Sequence, residues 1–383
     1  ELFHRLIDGY AQVEANLRLH ADNWPTADRL RGIVRTGQEK YGLADVGEGK
    51  ATPGSRLIAD ALLSDDPRPI NVVVNAGSNT LAQALVDLRR DSPERIDDLV
   101  AKLRVFENGA QDNAGAWLCR EFPDIHWVRS NYQTYGYMGE GETIRECVGP
   151  YTWRPYPRNN RGQHRWAEEH IMRGHGALGE LYPYRYRGRA YLEGGGTVPW
   201  LGLVSKGLSS PEHPAWGGWS GRFTAEKQKN TYSRHESVRT DEQGYGDFYA
   251  YTEAADRWTD PVDGTTYDDV FAPIWRWRRA MANNCRARFD WCVASFDEAN
   301  HPPRAAVDGD ATDGFVRVAA SPGEPLTFDA SGSTDPDGDR LTYRWYPYPE
   351  AGTLAGVAIA ESTAVTFEMV TPMKAAGRQL SSG

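Results

Sequence analysis

His175 stands between two glycines, Gly174 and Gly176. Histidine titrates near neutrality, so this side chain could deliver a proton to a leaving group; the commoner alternative is a hydrogen-bonded structural histidine. Glu48, Gln111 and Asp112 stand in polar, glycine- or asparagine-bearing stretches that read as loops. Carboxylates and amides in such loops can hold the hydroxyls of a ligand, or simply be solvated. Trp216 and Trp219, in HPAWGGWSGRF, can form a wall for a sugar ring or pack inward. Asp335, Asp337 and Asp339 alternate in STDPDGD. That spacing can gather oxygens around a Ca²⁺ ion, and it equally suits a turn that holds none.

Several other chemistries lack their residues. There is no GxSxG, HExxH or P-loop sequence, and the four cysteines form no CxxC pair. Cys285 and Cys292 lie seven apart, two turns along one helical face and too far for a disulfide in a straight helix. The formal charge of −10, from 43 Lys plus Arg against 53 Asp plus Glu, argues against a nucleic-acid partner. No apolar stretch is long enough to span a membrane. The 13 Trp and 19 Tyr suit a carbohydrate-active protein, since aromatic faces stack on sugar rings, although some must be core.

The element that would position these residues is INVVVNAGSNTLAQAL, Ile70 to Leu85. Val72 to Val74 read as a strand buried on both faces, Ala76-Gly77-Ser78 as a tight turn, and Thr80 onward as a helix with Asn79 as N-cap. AGSNT is not GxGxxG, which disfavours a dinucleotide cofactor. Further helices are expected at Glu1 to about Leu17, Ala27 to Thr36, Ser55 to Leu63, Ile96 to Leu103 and Ala114 to Glu121. Strands are expected at Leu103 to Phe106 and His126 to Val128. This alternation predicts an α/β fold with a Rossmann-like parallel sheet and helices on both faces. Its ligand edge is at the carboxyl ends of the strands. Trp200 to Val204 reads as another strand and Phe271 to Ala294 as one long helix. Asn300-His301-Pro302-Pro303 reads as a stiff linker, dividing an α/β domain at 1–300 from a second domain at 304–383. Beyond it, Val316 and Val318, Leu326 and Phe328, then Leu341, Tyr343 and Trp345 alternate as in an immunoglobulin-like β-sandwich.

The AGSNTLAQAL turn resembles the nucleoside-hydrolase-like domain of bacterial and fungal cellulose-binding proteins. So do HADNWPTADRLRGIVRTGQ (His20 to Gln38), VGEGKATPGSRLI (Val46 to Ile58), GHGALGELYP (Gly174 to Pro183), HPAWGGWSGRF (His213 to Phe223), EANHPP and STDPDGDRLTYRW. The DPDGD turn is similar to that of PKD-like and cadherin-like modules. The resemblance implies a Ca²⁺ ion that binds sugar hydroxyls and the attacking water. Its ligands would be the Asn79 backbone carbonyl, Glu193 in LEGGGTVPW, and aspartates of a first strand expected upstream of Glu1. Glu193 and His175 are then the candidate catalytic pair. Glu48, Asn79, Gln111, Asp112, Trp216 and Trp219 would bind substrate, and Asp335, Asp337 and Asp339 a second ion. The expected protein is secreted or periplasmic, has a carbohydrate or polysaccharide partner, and hydrolyses a furanosyl or plant-type glycosyl bond. The rival expectations are a non-catalytic polysaccharide-binding protein and a nucleoside N-ribohydrolase.

Overall fold

The computed structural model describes residues 1–131, 165–182, 197–204, 211–261, 264–353 and 360–373. The valine run lies in strand β1 (Ile70–Val74), followed by β2 (Leu103–Asn108) and β3 (His126–Ser130). The three pair in parallel in the order β1-β2-β3, with Val72 beside Val105 and Val105 beside Trp127. Parallel neighbours need crossovers, and helices supply them. Helices α1 (Leu2–Leu17), α2 (Ala27–Ile33) and α3 (Pro53–Leu63) precede the sheet. Helices α4 (Asn79–Asp91) and α5 (Ile96–Ala101) link β1 to β2, and α6 (Ala114–Glu121) links β2 to β3. Leu81, Leu85 and Leu88 recur at helical spacing and bury one face of α4 against Leu99, Leu103, Val105, Leu118 and Trp127.

Four local readings differ from expectation. Ser78, not Asn79, is the N-cap of α4, and α2 stops at Ile33. Residues Thr197–Leu201 form a short helix rather than a strand. Pro199, just ahead of the expected strand Trp200 to Val204, sits in the first turn of this helix, and Val198 is buried against Phe106 and Ile274. The long helix is broken into Ala272–Trp275 and Arg278–Asp290. Ile274, Trp275 and Trp277, around the break, are all buried.

Two short antiparallel pairs follow the sheet, β4 (Gln228–Lys229) with β5 (Tyr249–Ala250) and β6 (Asp256–Thr259) with β7 (Thr266–Asp269). The C-terminal part carries an antiparallel pair, β8 (Pro325–Asp329) and β9 (Thr366–Val370), as in a β-sandwich. Phe328 pairs with Phe367, and Trp345 lies against both rings. Val316 and Val318 form no strand, and of Leu341, Tyr343 and Trp345 only Trp345 makes a bridge, to Ser362.

The stretch from Asn300 to Pro303 is packed rather than free. His301 is 4% exposed and lies between the rings of Trp291 and Phe296. Its backbone N–H donates to Asp337 at 2.6 Å and its ring Nδ1 meets Asp337 Oδ1 at 2.7 Å. Its Nε2 lies 2.9 Å from His20 Nδ1, and His20 Nε2 lies 3.0 Å from the Ala294 carbonyl. A second joint is Tyr348, which is buried beneath the Arg276 guanidinium at 4.1 Å. Its hydroxyl donates to Asp256 at 2.7 Å. Gly217 makes room for that ring: its φ is +76°, and a Cβ there would sit 2.6 Å from the Tyr348 oxygen.

Candidate functional site

The carboxyl ends of β1 and β2 both turn directly into helix starts, and Asp112 sits where the two starts converge. Its Oδ1 accepts the N–H of Ser78, the N-cap of α4, at 3.0 Å, and that of Ala114, first residue of α6, at 3.0 Å. The Asn79 N–H also faces the carboxylate but closes no bond of normal geometry, and buried Oδ2 has no hydrogen-bond partner. Burial raises the Asp112 pKa to about 6, against the pull of the Ser78 and Ala114 amides; the nearby Glu107 charge adds to the rise. Gly77 is required here, because a Cβ at that position would collide with Asp112 Oδ2. The loop reaches this place through Gly109 (φ +74°) and Ala110 (φ +46°). A buried alanine in the left-handed region is a strained backbone held by its surroundings.

Neighbouring side chains complete the edge. Gln111 donates to the carbonyls of Asn75 at 2.7 Å and Asn108 at 3.2 Å, tying the two turns together. Asn79 donates to the Lys40 carbonyl at 2.7 Å. The side-chain oxygens of Asn108, at the end of β2, and Asn131, just past β3, are buried without partners. Beneath them lies a fully buried ion network. Arg129 donates to Glu107 at 2.6 Å and pairs with Glu242 at 2.9 Å. Glu107 also accepts from Trp127 at 2.9 Å and from the Ser78 hydroxyl at 3.1 Å. Burial lifts the Glu242 pKa to about 7 even though Arg129 opposes the rise.

Asn79, Gln111 and Asp112 are therefore brought together. Glu48 is exposed on the rim, in a loop hung on α4 by Gly47 and Gln83 at 2.8 and 2.9 Å. His175 is elsewhere: its Nε2 lies 2.9 Å from Asp290 Oδ1 and its ring packs on Phe289, at the helix Arg278–Asp290. Trp219 is core, 8% exposed among Val198, Ile274 and Tyr348. Trp216 stacks on His213 at 4.0 Å, with the Arg317 guanidinium 4.9 Å from its ring and Phe315 edge-on to it, so the indole is already engaged within the protein. Glu193 lies outside the described residues. Asp335 Oδ1 accepts the N–H groups of Asp337 at 2.9 Å and Asp339 at 3.2 Å, while the Asp337 carboxylate is committed to His301.

A Ca²⁺ site is not assembled by these residues alone. No group of three or more His, Cys, Asp or Glu able to hold a metal occurs among the described residues. As the first residue of α4, Asn79 has its carbonyl directed along the helix toward the amide four residues on. Asp112 contributes one uncommitted carboxylate oxygen, a thin anionic supply for an ion that takes six to eight oxygens.

The sequence reading missed Glu107, Asn108, Arg129, Asn131 and Glu242. For Glu107, Asn108 and Arg129 the signal was present: LRVFEN and HWVRS are strand-like runs with charged or amide side chains near their carboxyl ends, whereas Asn131 and Glu242 lie outside them. A charge at the carboxyl end of a buried strand must be paired or placed in a site.

Residues 1–223 match the family model described as "Cellulose-binding Sde182, nucleoside hydrolase-like domain". Residues 325–380 match "Cellulose-binding protein Sde0182, C-terminal domain". No curated protein matches the chain. Among solved structures, a nucleoside hydrolase-related hypothetical protein from Saccharophagus degradans, described as associated with carbohydrate metabolism, superposes with a TM-score of 0.81. It is 34% identical, over 98% of this chain and 81% of that one. The fold is thus the nucleoside-hydrolase-like α/β fold with antiparallel C-terminal strands, and the chain belongs to the family of the cellulose-binding Sde182 nucleoside-hydrolase-like domain.

Proposed function

We propose that this is a secreted or periplasmic carbohydrate-active protein that binds a sugar unit at the carboxyl ends of β1, β2 and β3 and hydrolyses its glycosyl bond. The observation that carries the reading is Asp112, a carboxyl with a pKa of about 6 and one unpartnered oxygen, held between two helix starts. Hydrolysis at an anomeric carbon passes through an oxocarbenium-like state. Water must lose a proton as it attacks, and the departing oxygen must gain one. Near pH 6 Asp112 exists in both forms, so it can accept the proton of the attacking water as the anomeric C–O bond breaks. The amides of Gln111, Asn108 and Asn131 would orient the sugar hydroxyls. Glu193 is the second carboxyl that the family resemblance offers, to protonate the leaving oxygen. The names of the matching families direct attention to cellulose. No helix among the described residues is long and apolar enough to cross a membrane.

The second reading is binding without turnover. It is favoured by Glu107, whose carboxylate is spent on Arg129, Trp127 and Ser78 and so cannot act as the partner acid. A panel of cellulose, xylan, arabinan and nitrophenyl furanosides, assayed for new reducing ends with and without EDTA, separates the two. Turnover that Asp112→Asn abolishes supports hydrolysis. Retention on an insoluble glycan with no product supports binding alone, and silence in both assays overturns the carbohydrate reading. Loss of turnover in EDTA would support the expected Ca²⁺.

A further inference from the structure

We infer that the cleft between segments 36–40 and 45–53 is a subsite for a further, uncharged sugar unit of the same glycan chain. This rests on the carbohydrate reading above. The cleft has a volume of about 320 Å³, at the lower end of the range found for small-molecule sites.

Its lining is the first argument. Thr36, Glu39, Lys40, Asp45, Lys50 and Thr52 contribute two hydroxyls, two carboxylates and two ammonium groups, with no aromatic or large apolar side chain. The charges balance. A phosphate or sulfate ligand would call for a net positive lining, and a metal for a net negative one. A polyol suits a balanced lining, because each hydroxyl can accept from an ammonium and donate to a carboxylate. Asp45 stays ionised: the Lys40 backbone N–H, seconded by that of Glu39, holds its carboxyl below the usual range. Both amides bond to Oδ2, at 3.1 and 3.0 Å.

Preorganisation is the second argument. Gln38 donates to the Lys50 carbonyl at 2.8 Å and accepts from the Thr52 hydroxyl at 3.2 Å, bracing the two walls. The Gly54 N–H donates to the Thr36 carbonyl at 2.8 Å and Lys50 Nζ to the Ala44 carbonyl at 2.8 Å. A cleft whose walls are already tied loses little freedom on binding.

Continuity is the third. The same loop is fastened to the start of α4 by Gln38 N–H to the Thr80 hydroxyl at 3.1 Å and by Asn79 to the Lys40 carbonyl. It is fastened to the start of α6 by Leu43 N–H to Asn113 at 3.0 Å. Lys40 therefore stands on the wall between the cleft and the Asp112 edge, and a chain leaving that edge past Lys40 enters the cleft.

The test is calorimetric titration of the full chain with cello-, xylo- and arabino-oligosaccharides of one to five units. The variants are Lys40→Ala and Glu39→Gln, whose side chains are exposed and carry no bond that shapes the loop. Wild type should gain about tenfold in affinity when the chain grows by the unit that reaches the cleft, the effect of one or two added hydrogen bonds. Both variants should lose that gain while binding the shortest competent ligand as wild type does. A length gain that survives in both variants, or wild-type affinity that is independent of length, overturns the subsite and leaves the carbohydrate reading standing. No binding at any length overturns both.

Discussion

Asp112 gathers three constraints on one carboxyl group: two helix starts donate to Oδ1, the space beside Oδ2 is open only because residue 77 is glycine, and burial raises the pKa to about 6. The direction of the shift fixes its effect on stability. A carboxyl raised above its ordinary value of 3.8 retains, when folded, a proton that the unfolded chain has released. Its contribution is therefore most favourable below pH 4 and is lost as pH rises to 6. The cost at neutrality is about 3 kcal/mol for a shift of roughly two units. Asp112→Asn should remove that cost, raise the thermal midpoint at pH 7 and flatten its slope between pH 4 and 6, while abolishing turnover. Equal loss of stability and activity would assign Asp112 to capping alone. Gly77→Ala should displace the carboxylate and cost on the order of 1–3 kcal/mol, read by chemical denaturation. At this scale the sequence carried part of the site. Asp112, Gln111 and Asn79 were legible because loops after buried strands meet at one sheet edge. Trp219 and His175 were not, because residue type alone does not say whether a ring points outward; Trp219 faces the core, and His175 pairs with Asp290.

The strands themselves were legible from their apolar runs, and their parallel order from the helices between them. Their charged ends carry a consequence that the runs conceal. Glu107, Arg129 and Glu242 are completely buried, so the ends of β2 and β3 and the helix Glu236–Gln243 are tied by ions rather than by packing alone. Removing one partner of such a network leaves an uncompensated charge, so Arg129→Met should cost about 3–5 kcal/mol in urea denaturation. The damage should reach Asp112, because Ser78 joins the two layers: its hydroxyl bonds Glu107 and its N–H bonds Asp112. Trp200 to Val204 reads as a strand because the run is apolar, but its first two residues close a short helix in whose first turn Pro199 sits, a place proline suits. The broken helix after Phe271 was illegible because its aromatic spacing fits both one long helix and two short ones.

At the scale of the molecule, the β8–β9 sandwich strands follow a junction that is packed into the α/β part. Tyr348 fills a core site with Trp219, Trp277 and Met281, and its hydroxyl reaches Asp256. Tyr348→Ala should cost about 3–5 kcal/mol, and calorimetry of the wild type should give one cooperative transition. Two separated transitions would show that the joint contributes little. The change of texture after Pro303 announced the second architecture, but nothing in NHPP announced that His301 would be enclosed by Trp291 and Phe296. That contact joins residues far apart in the chain, and local patterning is blind to it.

The row Ala294, His20, His301 and Asp337 sets a proton inventory. A carbonyl oxygen at one end and a carboxylate at the other can only accept, so His20 Nε2 and His301 Nδ1 must both carry hydrogen. The contact between His20 Nδ1 and His301 Nε2 needs one more. That makes three protons on four ring nitrogens, one beyond two neutral histidines. Burial lowers the pKa of His20, which makes it a poor place for the surplus. Burial works to raise Asp337, but its bonds from His301 prevail and hold it below its ordinary value, so it remains the anionic counterpart. The folded chain thus resists a charge on His20 that the unfolded chain takes up near the ordinary histidine value of about 6.5. The junction is therefore firmest at neutral pH. It loosens as pH falls from about 6.5 through the lowered His20 value, and again as Asp337 takes up a proton. Imidazole nitrogen resonances, followed from pH 8 down to 4, should show His20 taking up a proton below the ordinary histidine value as hydrogen exchange at the His301 amide accelerates; exchange that does not change over this range would refute the coupling.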